Sequence, residues 1–387
     1  MSGWSNQLIR LWFFFEGENM SKVRELLDLG QSIWFDNISR GMILSGDLKK
    51  KVGEGLTGVT SNPTIFEKAI SGSHDYDSAI QAILGRPKKL STVEIIQELM
   101  IDDIRAAADV LRPVYDLSNS HDGFVSIEVS PSKARDTKAT IEEVRYLWKR
   151  VDRPNLMVKI PATIEGLPAI EQMLYEGINI NITLIFSVDR YRSVALAYLA
   201  ALEKRAGEEK PIDRIASVAS VFVSRIDTLV DDMLKQVPAN KSDAFRGKAA
   251  VANTKMVYQA FKELFLSERF ASLAAKGAQV QRPLWGSTGT KNPAYNDLLY
   301  VDSLIGSNTV NTVPPQTYIA ILDHAIPRPT IEEGVDDARQ LLENLKTVGI
   351  DMRWVTKKLE EDGVASFEKS FDGLSRFLEE KRAATVV

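Results

Sequence analysis

Short apolar runs alternate along the chain with longer stretches in which apolar positions return every three or four residues, from about residue 32 to about residue 315. The first pattern predicts strands and the second amphipathic helices. Candidate strands fall at 32–35, 55–60, 124–129, 156–160, 178–185, 215–222, 281–286 and 308–313. Each is followed by a helical stretch, and such an alternation predicts a parallel sheet; eight units predict a closed (β/α)8 TIM barrel. The connection between the second and third strands is long enough for several helices. Past Pro315 the chain reads as helical again, through 333–339 and 371–381, with these helices expected on the outside of the barrel.

Boundary signals agree with this division. Ser91-Thr-Val-Glu94 and Thr140-Ile-Glu-Glu143 read as capping boxes, and Pro63 after Asn62 suits the first position of a helix. A doubly wound open sheet is the alternative, but it requires a glycine-rich phosphate loop after the first strand, and Phe35-Asp-Asn-Ile-Ser-Arg-Gly-Met42 holds none. No repeat, Pro/Ser-rich linker or low-complexity block divides the chain. Residues 20–387 are expected to form a single domain, with Met20 as the natural start and 1–19, including the aromatic cluster at 11–15, as an upstream extension.

Composition narrows the class. The 387 residues are 44% hydrophobic and 26% charged, ordinary for a globular chain with a sizeable core. A net charge of −4, with both signs mixed, leaves no basic footprint for nucleic acid. No apolar stretch approaches the roughly 20 residues of a membrane span, and 11–15 is too short for a signal-peptide core. Zero cysteines exclude disulfides and thiol catalysis and suit a reducing cytoplasm. The three histidines, His74, His121 and His324, are scattered, which argues against a histidine-based metal site.

Chemistry enters with Lys159, the one basic residue in the apolar run Asn155-Leu-Met-Val-Lys-Ile-Pro161. The run, with Arg153-Pro154 before it and Pro161 at its end, reads as a buried strand, and lysine is rarely buried unless something pairs with it or uses it. Burial penalises an ammonium and favours a nucleophilic amine. An edge lysine snorkelling outward or paired to a carboxylate is the plainer alternative.

Other polar residues gather at the C-terminal ends of the strands. They are Asp36 on the first, Thr60, Ser61 and Asn62 on the second, and Glu128 on the third. Asn181 and Thr183 lie in the fifth, Ser220 and Arg225 close the sixth, and Ser287 and Lys291 follow the seventh. In a barrel these ends meet on one face, where such folds carry their chemistry.

Each position has a second reading. Asp36 is either a proton acceptor or an N-cap for a helix near Ile38. Glu128 is either an acid–base group tuned by burial or the partner of Arg135 or a nearby lysine. Asn62, Asn181, Thr60 and Ser220 could serve turns and barrel backbone, and Phe222 the core. Arg225, Ser287 and Lys291 offer a clamp for a phosphate dianion, against surface salt bridges for the two cations. Gly286-Ser-Thr-Gly-Thr-Lys291 only superficially suggests a P-loop, since it lacks the glycine before the lysine and the Ser/Thr after it.

Three stretches carry a family resemblance: Gly58-Val-Thr-Ser-Asn-Pro-Thr-Ile-Phe66, Ile160-Pro-Ala-Thr-Ile-Glu-Gly-Leu-Pro-Ala-Ile-Glu171 and Glu176-Gly-Ile-Asn-Ile-Asn-Ile-Thr-Leu-Ile-Phe-Ser187. With Lys159 they resemble the two signature segments of the transaldolases, and the likeness runs from about Ser21 into the C-terminal region. The resemblance implies that Lys159 forms a Schiff base with a ketose phosphate. It implies that Asp36 takes the C4-hydroxyl proton and that Glu128 works through a water held with Thr183. Asn62 and Asn181 would bind the hydroxyls of a three-carbon fragment, Phe222 would line the pocket, and Arg225, Ser287 and Lys291 would take the phosphate; Thr60 and Ser220 are further substrate-binding candidates. No metal or organic cofactor is implied. One departure stands out: a branch of the family has an arginine two residues after the serine, where this chain has a lysine four after. A fructose 6-phosphate aldolase-type lyase shares the lysine but is much shorter, and a sugar-phosphate-binding barrel without activity would not need Lys159, Glu128 and Asp36 together.

Overall fold

The computed structural model describes residues 21–385, so the segment at 11–15 and the expected start at Met20 lie outside the described residues. Eight strands close into a barrel in chain order. They are β1 (Gln31–Phe35), β2 (Gly58–Val59), β3 (Phe124–Glu128), β4 (Leu156–Pro161), β5 (Ile180–Ile185), β6 (Ser217–Phe222), β7 (Arg282–Gly286) and β8 (Thr309–Val313). Every pairing is parallel, including the closing one between β1 and β8. The (β/α)8 expectation is met. β2, expected over 55–60, is regular only at two residues, though Thr57 N–H still donates to Ile33 C=O at 3.1 Å and Thr60 N–H to Phe35 C=O at 2.9 Å.

Alternation along each strand decides which residues meet inside. Ile33, Val125, Ile127, Val158, Ile160, Ile180 and Ile182 face outward and join the large core beneath the helices. Trp34, Phe124, Met157, Val218, Leu284 and Val310 form a separate apolar layer, the layered filling that makes such a barrel a packed core. Gly58 admits the Trp34 indole, because a Cβ there would lie 2.5 Å from the ring. Lys159, two residues after Met157, and Glu128, four after Phe124, have the inward parity and stand on the C-terminal side of this layer.

On the N-terminal side, Arg282 is buried with Asp122 at 3.3 Å. Its guanidinium also donates to Ser32 Oγ at 2.5 Å, Thr309 C=O at 2.7 Å and His121 C=O at 3.3 Å. Asp122 accepts from Trp34 Nε1 at 2.8 Å, Gly123 N–H at 3.1 Å and the Ser32 hydroxyl.

The β2–β3 connection holds helices Pro63–Ser71, Asp77–Leu84 and Thr92–Leu117, and the Ser91/Glu94 capping box is complete in both directions. The second expected box is not one. Helix Thr137–Val151 starts earlier, because Asp136 accepts the Ala139 N–H, and Thr140 falls inside it. Glu143 instead accepts from Ser130 N–H at 3.0 Å and Ser130 Oγ at 2.6 Å, fixing the turn after β3.

Helices Pro315–His324 and Val335–Asn344 pack on the barrel's outer helices, as expected. The last helix, Met352–Thr385, does not stay outside: it crosses the C-terminal mouth, against helices Pro63–Ser71 and Ser224–Leu234. Two glycines permit the approach. A Cβ at Gly363 would lie 2.8 Å from Leu184 Cδ2, and one at Gly373 would collide with the Glu67 carboxylate. Leu184 itself has φ +59°, where the β5–β6 register shifts between Ile182 and Ile185. Among the described residues no helix is long and apolar enough to cross a membrane.

Candidate active site

Register places the central groups side by side. Glu128 on β3 pairs with Lys159 on β4, and Lys159 with Asn181 on β5, so the three stand at one level of the barrel. Lys159 is 4% exposed; its Nζ donates to Ser61 C=O at 3.0 Å and lies 3.4 Å from Glu128 Oε2. Glu128 Oε2 and Thr183 Oγ1 are buried without a hydrogen-bond partner. Burial pushes the Glu128 carboxyl above its ordinary range; the Lys159 charge opposes this and nearby Asp36 adds to it. Arg135, offered as an alternative partner for Glu128, is exposed on a neighbouring cleft instead.

A cavity of about 120 Å³ opens above Lys159. Nine of the twelve residues read from the sequence line it: Asp36, Thr60, Asn62 and Lys159, then Ser220, Phe222, Arg225, Ser287 and Lys291. The other three, Glu128, Asn181 and Thr183, are buried and do not line it.

Asp36 does not cap a helix; Ser39 does, accepting the Met42 N–H. Asp36 Oδ1 instead accepts from Thr60 Oγ1 at 2.7 Å, and the Thr312 hydroxyl lies 2.6 Å from Thr60 Oγ1. With the Thr60 proton given to Asp36, Thr312 is the donor in the second contact, which makes a chain Thr312–Thr60–Asp36. Removal from solvent raises the Asp36 carboxyl, against the pull of Lys159, the Thr60 hydrogen bond, Lys291 and Arg225.

The asparagines divide. Asn62 caps helix Pro63–Ser71 through its Oδ1, as its plainer reading held, and still borders the cavity. Asn181 does not line the cavity: its Nδ2 donates to Ser126 Oγ at 3.0 Å and its Oδ1 accepts from Ser220 Oγ at 2.6 Å. Asn181 thus positions Ser220, which does reach the wall.

Across the cavity, the Arg225 guanidinium lies 5.2 Å from the Phe222 ring centroid, and Phe222 packs on Phe186. Phe222 is therefore both core and wall. Ser287, at φ +54°, has its Oγ 3.0 Å from Ser224 Oγ, with Lys291 beyond it on the same turn. Neither Arg225 nor Lys291 is in an ion pair among the described residues, which removes surface salt bridging as their reading. Residues 286–291 form a turn at the end of β7 with no helix directly after it, unlike a P-loop.

Sequence reasoning gave no role to six wall residues, Leu284, Gly286, Gly289, Thr312, Pro314 and Phe367. Thr312, on β8, was detectable because it stands next to last in its strand, as a polar residue on an end that already gathers them. Pro314 and Phe367 carried no local signal.

Lys159, Arg225 and Lys291 around a single lining carboxylate make the cavity electropositive, suited to a phosphorylated ligand. A buried amine, a carboxylate and a second buried acid are groups that covalent carbonyl chemistry can use. Among the described residues no group of three or more His, Asp or Glu side chains could hold a metal ion. A larger cleft of about 540 Å³ lies between the last helix and the turns after β4 and β5, but none of the twelve residues lines it, so the chemistry points to the smaller cavity.

Comparison with known proteins agrees with this geometry. The family model described as "Transaldolase/Fructose-6-phosphate aldolase" matches residues 33–378. A transaldolase of Trichodesmium erythraeum is 47% identical over 368 residues, covering 92% of this chain and 96% of that protein. One from Saccharopolyspora erythraea is 48% identical, covering 93% of this chain and 98% of that protein. A protein named transaldolase 2 from Nostoc punctiforme is 48% identical, with 92% and 96% covered.

Proposed function

The chain belongs to the transaldolase/fructose-6-phosphate aldolase family, and from that premise we propose that Lys159 is the Schiff-base nucleophile of its reaction. That reaction is transfer of a dihydroxyacetone unit from a ketose phosphate to an aldose phosphate. The observation that carries the lysine's role is its place: an amine buried inside the barrel, 3.4 Å from a carboxylate of raised pKa, at the base of an electropositive cavity.

The steps follow from the groups present. Glu128 takes a proton from the Lys159 ammonium, and the amine adds to C2 of fructose 6-phosphate or sedoheptulose 7-phosphate. Glu128 returns a proton as the C2 hydroxyl leaves as water, giving an iminium. The unpartnered Glu128 Oε2 and Thr183 Oγ1 are the groups that would hold a relaying water. Asp36 then takes the C4-hydroxyl proton; the C3–C4 bond breaks, its electrons pass into the iminium, and an aldose phosphate leaves. The raised pKa of Asp36 fits a base that must later return the proton. The lysine-bound enamine attacks erythrose 4-phosphate or glyceraldehyde 3-phosphate, Asp36 protonates the new C4 oxygen, and hydrolysis frees the product ketose and the amine. Arg225, Ser287 and Lys291 hold the phosphate of the ketose and, after the first aldose phosphate has left, that of the incoming aldose, while Thr60, Asn62 and Ser220 meet the sugar hydroxyls. These substrates place the enzyme in the non-oxidative pentose phosphate pathway, and the cysteine-free composition fits the cytoplasm.

A lyase of the same family would release dihydroxyacetone without an acceptor. The helices between β2 and β3 and the helix over the mouth favour transfer. Steady-state consumption of fructose 6-phosphate with and without erythrose 4-phosphate tests the choice. Transfer requires the aldehyde for sustained turnover; equal rates with and without it would establish the lyase.

A further inference from the structure

Phe367 stands outside every step above, yet it is 3% exposed and lines the same cavity as Lys159. It is carried there by the last helix. Along one stripe of that helix, Val364 borders the neighbouring cleft, Phe367 enters the cavity, and Phe371 borders a small gap that Glu128 also lines. Spacings of three and four residues keep these side chains on one face. The helix is seated close on either side of Phe367, by Gly363 against Leu184 and by Ser370 Oγ at 2.8 Å from Thr64 Oγ1.

A transferase has a problem that a lyase does not. Its covalent intermediate must wait for an aldehyde while water is present at far higher concentration. Loss of the intermediate needs a proton delivered to the enamine carbon, then water added to the iminium C2, then C–N cleavage to free dihydroxyacetone and the lysine amine. Polar walls can relay that proton and seat that water. A phenyl ring can do neither, and a buried aromatic side chain covers on the order of 200 Å².

We propose that Phe367, held over the barrel mouth by the last helix, keeps water from the lysine-bound three-carbon intermediate and so directs it to an acceptor aldehyde. This rests on the Schiff-base reading of Lys159. Phe367 is a positioning residue: it sets the fate of the intermediate without taking part in its formation.

The test is the ratio of free dihydroxyacetone released to ketose formed by the full-length protein, from fructose 6-phosphate with limiting erythrose 4-phosphate. Lys159 is trapped by borohydride in parallel. Phe367→Ala is expected to raise the ratio roughly tenfold while the trapped adduct still forms, since excluding water suppresses hydrolysis of reactive intermediates. Phe367→Leu, which keeps most of the apolar volume, is expected to raise it by about twofold and serves if the alanine variant does not fold. An unchanged ratio with the adduct intact would overturn the role of Phe367 alone. Absence of an adduct in the unsubstituted protein would overturn the Schiff-base reading and this inference with it.

Discussion

The barrel buries one oppositely charged pair at each end, at almost the same separation: Lys159–Glu128 at 3.4 Å near the C-terminal ends of the strands and Arg282–Asp122 at 3.3 Å near the N-terminal ends. They differ in what surrounds them. The Arg282 guanidinium has further acceptors in Ser32, Thr309 and His121, and Asp122 has donors in Trp34, Gly123 and Ser32. The Lys159 ammonium has one further acceptor, the Ser61 carbonyl, and Glu128 Oε2 and the nearby Thr183 hydroxyl have no hydrogen-bond partner. A buried pair holds its geometry when its remaining donors and acceptors are met. The N-terminal pair has most of its donors and acceptors met and ties strands together. The C-terminal pair is left open on the side facing a cavity, where protons can move and a carbonyl can enter.

Substitutions separate the two ends. Lys159→Ala has the largest expected effect, a loss of about 10⁴-fold or more in kcat because the covalent route is gone. Its melting temperature should stay close to that of the unsubstituted protein, because burial already favours the neutral form of Glu128 and the carboxyl can take up a proton once the ammonium is gone; residual turnover at a tenth of the normal rate would remove the lysine from the mechanism. Arg282→Met reverses the pattern. It leaves Asp122 buried without its cation and is expected to cost about 3–5 kcal/mol of stability, read by chemical denaturation, while the activity of the protein that remains folded is retained. Adding Asp122→Asn should recover part of that loss, and no recovery would mean that the pair is not what the position requires.

Smaller effects sharpen the cavity side of the C-terminal site. Arg225→Ala should raise KM for phosphorylated sugars by roughly 10- to 100-fold, with little change for unphosphorylated analogues. Equal losses on both would contradict a phosphate role. Thr60→Val probes Asp36 by pH. Asp36 must be ionised to act as base, so activity falls as pH drops through its raised pKa, at a higher pH than for an ordinary aspartate. The Thr60 hydrogen bond holds that pKa down, so its removal should move the acid limb of kcat/KM further toward neutral pH. A limb that stays in place or moves the other way would break the link between Thr60 and Asp36.

What the sequence displayed follows the same division. The C-terminal ends were legible because a charged residue in an apolar run, such as Lys159 or Glu128, has few explanations, and strand parity carries it inward without tertiary knowledge. The eight strands were legible for a related reason, since their apolar runs are local. The Arg282–Asp122 pair was not, because its partners come from four separate segments, 32–34, 121–123, 282 and 309, and no local pattern joins them. Thr140 and Glu143 matched a capping box by spacing alone, while Asp136 competed for the same role one turn earlier and won. The last helix misled most. Its amphipathic pattern says that one face is buried but not against what, and Phe367 looks the same in sequence whether it faces core or cavity. Asn181 shows a milder version: its strand position was right, but hydrogen bonds to Ser126 and Ser220 turned it from wall to support.

The covalent intermediate proposed on Lys159, at the open end of the barrel, can be trapped chemically. Borohydride trapping with fructose 6-phosphate, with and without erythrose 4-phosphate, followed by intact mass and peptide mapping, tests it most directly. A dihydroxyacetone-sized adduct on Lys159 that disappears when the aldehyde is added is the expected result. No adduct, or an adduct on any other lysine, would contradict the account.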